Sequence, residues 1–219
     1  MSYKTYIFDF DYTLADATVG ICDSVNYALT QMNLNPKSRE EIRRTVGMTI
    51  NDIFFTLTGI PDESSAETFH SHFMYNADKV VTNTTILFPD TIDVLTKLKQ
   101  GGCNTAVVTT KVRYRVEEVQ KKFNMQGLID YTVGFEDVEA PKPSPEGLLK
   151  AIAKFGSNKQ TVLFIGDSLI DANTAKNADV DFAAVLTGTT TKQDFHALPH
   201  ILIAENLTEV MMNTTTSNP

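Results

Sequence analysis

Residues 5–16, TYIFDFDYTLAD, begin as an apolar run and end in two aspartates one residue apart. The β-branched and aromatic stretch Thr5–Phe10 reads as a buried strand. A buried carboxylate is costly unless something positive accompanies it. Either this strand end lies in solvent, or a cation belongs beside Asp9 and Asp11. Residues two apart on a strand face the same way, so the two carboxylates are expected to converge at its C-terminal end. Open α/β sheets bind their ligands at that edge. The plain alternative is a turn, since Asp and Thr are common where a strand becomes a loop.

Further short apolar runs follow at Thr105–Thr109, Val162–Ile165, Phe182–Leu186 and His200–Ile203. Helical patterns lie between most of them, at Thr91–Lys99, Arg113–Phe123, Glu146–Phe155 and Asp171–Ala178. Strand and helix alternating in this way predict an α/β fold, a parallel sheet with helices on both faces. Gly101-Gly102 and Gly156 stand where helix stops are expected. One interval breaks the rhythm. After the first strand the next waits until about Asn104, whereas a parallel crossover needs only about a dozen residues. The interval carries amphipathic patterns at Ile21–Met32, Ile42–Leu57 and Ala66–Val81, so it is read as a helical insertion. The predicted division is a core of residues 1–15 and 86–212, a helical domain of residues 16–85, and a polar, frayed tail of residues 213–219.

The hydrophobic share of 42% in 219 residues is enough for a real core. A net charge of −8 argues against nucleic acid or an anionic membrane as partner, since both call for a basic patch. No apolar stretch is long enough to span a bilayer, and the first residues lack the pattern of a signal peptide. A cytoplasmic protein, monomeric or homodimeric, is expected. Cys22 and Cys103 make no disulfide framework and read as small hydrophobes.

Three more segments carry candidate chemistry. In LFIGDSLIDANTAKNA (163–178) a strand runs into Gly166-Asp167 and a helix follows. Ser168 and Asp171 read as a capping box, which leaves Asp167 without a structural task. Carboxylates gathered at one crevice would share a hard divalent cation, and oxygen-only ligands favour magnesium over zinc. In EAPKPSPEG (139–147) Ser144 and Pro145 fit the start of a helix. Lys142, set between two prolines, is a stiffly mounted ammonium suited to an anion or a nucleophile, though a lone lysine is commonly a solvated charge. In AVVTTK (106–111) Thr109 and Thr110 end a strand before a helix, where hydroxyls and free N–H groups can hold a phosphate oxygen. Threonine also simply favours strands and caps.

Taken in order, FDFDYTL (8–14), VVTT (107–110), KPSP (142–145) and GDSLIDANTAKNA (166–178) resemble the haloacid dehalogenase-like hydrolase superfamily. The insertion looks like that superfamily's helical cap. Its segments LADATVGICDSVNYALTQMNL (14–34) and IRRTVGMTINDIF (42–54) are similar to the phosphoglycolate phosphatase and β-phosphoglucomutase branch. The resemblance implies a Rossmann-like core and a magnesium-dependent phosphatase acting on small phosphorylated metabolites. Asp9 would be the nucleophile and Asp11 the general acid and base. Mg2+ would be held by Asp9, the carbonyl of Asp11 and Asp167, with Asp171 close behind. Lys142 and Thr109 would neutralise and hold the phosphoryl group. A β-phosphoglucomutase-like phosphomutase shares all four motifs, and a non-catalytic phosphate-binding protein is the third reading. Tyr12 stands where the branch often has glycine, which predicts a backbone there without positive φ. Thr110 replaces a common asparagine and, with Arg44 of the insertion, is a substrate-binding candidate. Lys111, Arg113 and Arg115 read as helix-surface charges, and His70 and His72, two apart on a helix, as solvated. Cap closure is expected to exclude water, hinging near Ala15–Asp16 and Thr84–Pro89.

Overall fold

The computed structural model describes residues 3–215. Strand β1 (Thr5–Phe8) is followed by the short strand β2 (Ala15–Asp16) and helices α1 (Thr18–Gln31), α2 (Arg39–Arg43), α3 (Ile50–Thr58) and α4 (Glu63–Thr84). The short strand β3 (Ile86–Leu87) pairs with β2. An alternating series then runs α5 (Thr91–Gln100), β4 (Asn104–Val108), α6 (Arg113–Lys122), β5 (Tyr131–Val133), α7 (Glu146–Phe155) and β6 (Val162–Gly166). It closes with α8 (Leu169–Ala178), β7 (Asp181–Val185), α9 (Lys192–Phe195), β8 (Leu202–Ala204) and α10 (Leu207–Thr214).

Six strands form one sheet in the order β5-β4-β1-β6-β7-β8, and every neighbouring pair is parallel. Side chains alternate across it, as a two-residue period requires. Tyr6 and Phe8 of β1 join a core formed with Val94, Leu95 and Leu98 of α5, Val116 and Val119 of α6, and Leu207 and Val210 of α10. Ile7 points into the opposite core, with Leu148, Ala151 and Ile152 of α7 and Ala172, Ala175 and Ala178 of α8. With helices on both faces the central strands are buried throughout, so they read as unbroken apolar runs.

The chain divides into two compact units, residues 1–15 with 87–219, and residues 16–86. The second is all helix apart from its connecting strands and has its own core, in which Phe54 and Phe69 meet at 5.3 Å beside Phe73, Leu29 and Ile42. Ser38 caps α2 with a reciprocal Glu41 contact, and Asp62 caps α4.

Several expectations need correction. The strand expected over Thr5–Phe10 ends at Phe8, so Asp9 and Asp11 lie beyond it in the loop. Ile42–Leu57 is two helices: Gly47, at φ 96°, holds a turn that a side-chain-bearing residue resists. The short edge strand β5 has no counterpart in the predicted elements. Asn213 and Thr214, assigned to the tail, complete α10, and residues 216–219 of that tail lie outside the described residues. His70 is half-buried, its Nδ1 3.4 Å from Asn51 Oδ1.

Candidate active site

Strands β4, β1 and β6 end level, Phe8 standing beside both Val107 and Ile165. The chain leaves the central strand to opposite sides, which opens a crevice at the carboxyl ends of these three strands. Asp9, Thr109 and Asp167 are the residues that follow them. The Asp9 amide continues the ladder to the Ile165 carbonyl at 2.8 Å. The Phe10 carbonyl accepts the amides of Leu14 (2.9 Å) and Ala15 (3.1 Å), closing the loop that carries Asp11. Tyr12 sits in that loop at φ 59°, contrary to the negative φ expected of a tyrosine. A left-handed non-glycine residue costs about 1–2 kcal/mol. Tertiary bonds hold it there: its amide donates to Ala15 O at 2.7 Å, its carbonyl accepts the Thr187 hydroxyl, and its side chain is buried.

Asp9, Asp167 and Asp171 are all buried, and each offers a carboxylate oxygen within 4.8 Å of the other two. Lys142 enters the same group, with Nζ donating to Asp9 Oδ1 at 2.8 Å and Asp171 Oδ1 at 2.6 Å. Asp171 thus works at both ends. One oxygen accepts the Ser168 amide in a capping box at the start of α8, and the other meets Lys142. Lys142 is steadied by its turn, where the Pro141 carbonyl accepts the Ser144 amide at 2.9 Å and Asn177 donates to the Pro143 carbonyl at 2.9 Å. Helix α7 begins at Glu146, one residue later than expected for a Ser144 cap, yet Ser144 Oγ still accepts the Glu146 amide.

The electrostatics follow from burial. Desolvation pushes the Asp9 carboxyl up to about 6, Lys142 opposing the rise and Asp171 adding to it. Desolvation also raises Asp167 well above the ordinary carboxylate range, reinforced by Asp171 and Asp9. Burial alone would lower Lys142, but Asp171 and Asp9 outweigh it and the ammonium is held above its usual value. A permanently charged lysine therefore shares a buried space with more carboxylate than it neutralises.

Asp11 stands apart from that trio. Its Oδ2 pairs with Lys111 Nζ at 2.9 Å, the two side chains 10% and 8% exposed, while its Oδ1 is buried without a partner among the described residues. Lys111 is therefore not a helix-surface charge: it precedes α6 and turns inward onto a partner a hundred positions away in the chain. Arg115 is likewise buried, at 3% exposure. The Thr109 amide is not free for an anion, because it donates to the Val133 carbonyl at 3.1 Å. The Thr109 hydroxyl accepts the Lys111 amide at 3.3 Å, which leaves its own hydrogen to donate. Thr110 follows it, half-buried. Arg44 belongs to the 16–86 unit and is mostly exposed, its Nε on Glu40 at 3.1 Å.

Thr187 and Gly188, just beyond β7, carried no signal in the sequence. A Cβ at position 188 would fall 2.7 Å from the carboxyl carbon of Asp167, so only glycine leaves that carboxylate its place.

Asp9, Asp167 and Asp171 gather around a single ammonium, Lys142, so when ionised they leave two negative charges unmatched. The imbalance equals the charge of one divalent cation. Asp9, Asp167 and Asp171 offer only oxygen, the donor set of a hard cation such as Mg2+. The residues present therefore fit a divalent metal.

The family model for haloacid dehalogenase-like hydrolases matches residues 6–185. The chain belongs to the haloacid dehalogenase-like hydrolases. Among proteins of this family it is similar to pyrophosphatase PpaX of Oceanobacillus iheyensis, 30% identical over 199 residues that cover 90% of this chain and 91% of that one. A solved structure from Bacteroides fragilis, described as a haloacid dehalogenase-like hydrolase, superposes with a TM-score of 0.93 at 39% identity, covering 95% of this chain and all of that one. A structure from Haemophilus somnus, described as a phosphoglycolate phosphatase, shares the fold with a TM-score of 0.88 at 23% identity over 98% and 99% of the two chains. The protein is a phosphatase of the haloacid dehalogenase-like superfamily. Among the described residues no helix is long and apolar enough to cross a membrane.

Proposed function

We propose that this phosphatase hydrolyses small phosphate monoesters with magnesium as its cation, through an aspartyl-phosphate formed on Asp9. The observation that carries this reading is the buried contact of Lys142 with Asp9 and Asp171 beside Asp167. It presents a carboxylate for attack, an ammonium to meet phosphoryl charge, and three oxygens suited to a hard cation. Magnesium, when bound by Asp9, Asp167 and Asp171, supplies positive charge to the phosphoryl oxygens.

The chain's own groups divide the remaining work. Asp9 attacks phosphorus through a carboxylate oxygen. Lys142, fixed by two ion pairs, offsets charge on the transferring group without reorganising. The Thr109 hydroxyl has a hydrogen to donate to a phosphoryl oxygen. Asp11 has an oxygen without a partner among the described residues, suited, once it has gained a proton, to pass it to a leaving oxygen and then to take one from the water that releases the product. The helical 16–86 unit, Arg44 included, would contribute substrate selectivity. The kinship with a pyrophosphatase supports including pyrophosphate beside phosphoglycolate and sugar phosphates among the compounds to test.

The test is inorganic phosphate release from such a panel, with and without magnesium, by wild type and Asp9→Asn. Magnesium-dependent release that Asp9→Asn abolishes is expected. Release that survives the substitution would refute the nucleophile assignment. An isomerised sugar phosphate without free phosphate would mark a phosphomutase.

A further inference from the structure

Lys111 is the second ammonium of the site, and it lies on Asp11 rather than on the trio. Its Nζ is 2.9 Å from Asp11 Oδ2, with the lysine side chain 8% exposed. It also stands 5.9 Å from the centre of the buried Phe10 ring, within cation–π range. The backbone beneath it is pinned at both ends: its amide donates to the Thr109 hydroxyl at 3.3 Å, and its carbonyl accepts the Phe135 amide at 3.1 Å. A solvated surface lysine has none of these constraints. Asp11 Oδ2 engages one of the three donors of an ammonium, so the others remain for a further anion. The second oxygen of the same carboxylate, Oδ1, is buried without a partner among the described residues. The carboxylate assigned to meet the leaving oxygen therefore carries a fixed, desolvated cation on its other oxygen.

We infer that Lys111 is a specificity-determining residue that receives a leaving group bearing its own negative charge. The class comprises phosphoanhydrides, whose leaving group is phosphate, and esters with a carboxylate next to the ester oxygen. This inference rests on the phosphatase reading above and names the substrate class of that site. Asp9 attacks phosphorus, the bond from phosphorus to the leaving oxygen breaks, and that oxygen keeps the electron pair. An alcohol oxygen takes a proton as it leaves, passed on by Asp11 after that carboxylate has itself gained it from water. A leaving phosphate spreads the charge over its own oxygens and needs no proton, and Lys111 pairs with it while staying protonated. A carboxylate beside the ester oxygen meets the same ammonium while its alcohol oxygen takes the Asp11 proton. Lys142 serves the transferring phosphoryl group; Lys111 serves what departs from it.

The experiment compares kcat/KM for 2-phosphoglycolate and 2-hydroxyethyl phosphate, a near-isosteric pair differing in the leaving-group charge, with pyrophosphate as the phosphoanhydride arm. Wild type is expected to prefer the two anionic leaving groups. Lys111→Met is expected to lower that preference about ten- to a hundredfold, the range of a charge-assisted hydrogen bond, and Lys111→Arg to keep most of it. An equal fall on charged and neutral substrates would mean that Lys111 acts only through Asp11, and would overturn the inference. Wild type showing no preference would overturn it as well, whether or not the variants fold. Loss of preference for phosphoglycolate alone, or for pyrophosphate alone, would identify which anion the site is built for. Wild type releasing phosphate from no compound at all would instead refute the phosphatase reading beneath it.

Discussion

Substituting Gly188 by alanine tests how the site is held together. The backbone at 188 is not in the left-handed region, so alanine brings no conformational strain of its own. The added methyl, however, would lie 2.7 Å from the Asp167 carboxyl carbon and 3.0 Å from its Cβ. Non-bonded heavy atoms rest at about 3.2–3.5 Å or more, and Asp167 Oδ2 lies closer still to the added carbon, so the carboxylate or the loop must give way by more than about an ångström. Displacing a group that orients a metal ligand typically lowers metal affinity about ten- to a hundredfold. With magnesium in excess over both dissociation constants, that ratio removes about 1.4–2.7 kcal/mol of ligand-linked stability. For a chain of this size each kcal/mol moves the midpoint by about 2–4 °C, so the magnesium-induced rise in Tm should shrink by roughly 3–10 °C. The assay is thermal unfolding of wild type and Gly188→Ala across a magnesium series, with a chelated reference for each. An undiminished magnesium response in the folded variant would show that Asp167 does not depend on this clearance, or does not hold the ion.

Lys142→Met should leave Asp9 and Asp171 facing each other without their counter-ion. Breaking a buried ion pair by removing one partner costs about 3–5 kcal/mol, measurable as a lower urea midpoint at neutral pH without metal, with phosphate release lost in the same variant. An unchanged midpoint would contradict the burial of the pair. The raised Asp9 carboxyl gives a pH dependence of opposite sign to ordinary acid denaturation. Its folded value of about 6 exceeds the ordinary 3.8, so its contribution is present below about pH 4 and is lost as pH rises through 6. Relative to Asp9→Asn, metal-free wild type should lose about 2.4 kcal/mol between pH 4 and pH 7, at a slope of up to about 1.4 kcal/mol per pH unit. Urea unfolding at both pH values measures this, and parallel pH profiles would place Asp9 in a solvated setting.

How much of this was legible depended on the reach of each signal. Strands β1, β4, β6 and β7 are buried on both faces, and a continuous apolar run announces them. Strand β5 is three residues, YTV, at the edge of the sheet, too short to show a period. Asp9, Asp167 and Lys142 stood out because local structure left them unemployed, at strand ends or between prolines, and the fold does bring them together. Lys111 was passed over because its partner is remote, and charge spacing along a helix cannot reveal such a pair. Tyr12 misled for a related reason. Propensity speaks for φ below zero, while burial of the ring and the Thr187 hydroxyl on its carbonyl decide otherwise. Thr187 and Gly188 act through an absent side chain and a distant bond, neither of which leaves a pattern in the chain.

The central place of β1 also governs how the molecule comes into being. The strand precedes both of its neighbours in the chain, residues 104–107 and 162–165. Parallel partners so remote make its contacts among the most non-local in the chain, and closing such loops slows folding. A nascent chain must therefore carry Tyr-Ile-Phe with an edge bare until residues 162–165 have left the ribosome, while the 16–86 helices find their partners close by in sequence. That waiting strand is an aggregation hazard, and folding assistance should matter most for chains paused between Asp16 and Val162.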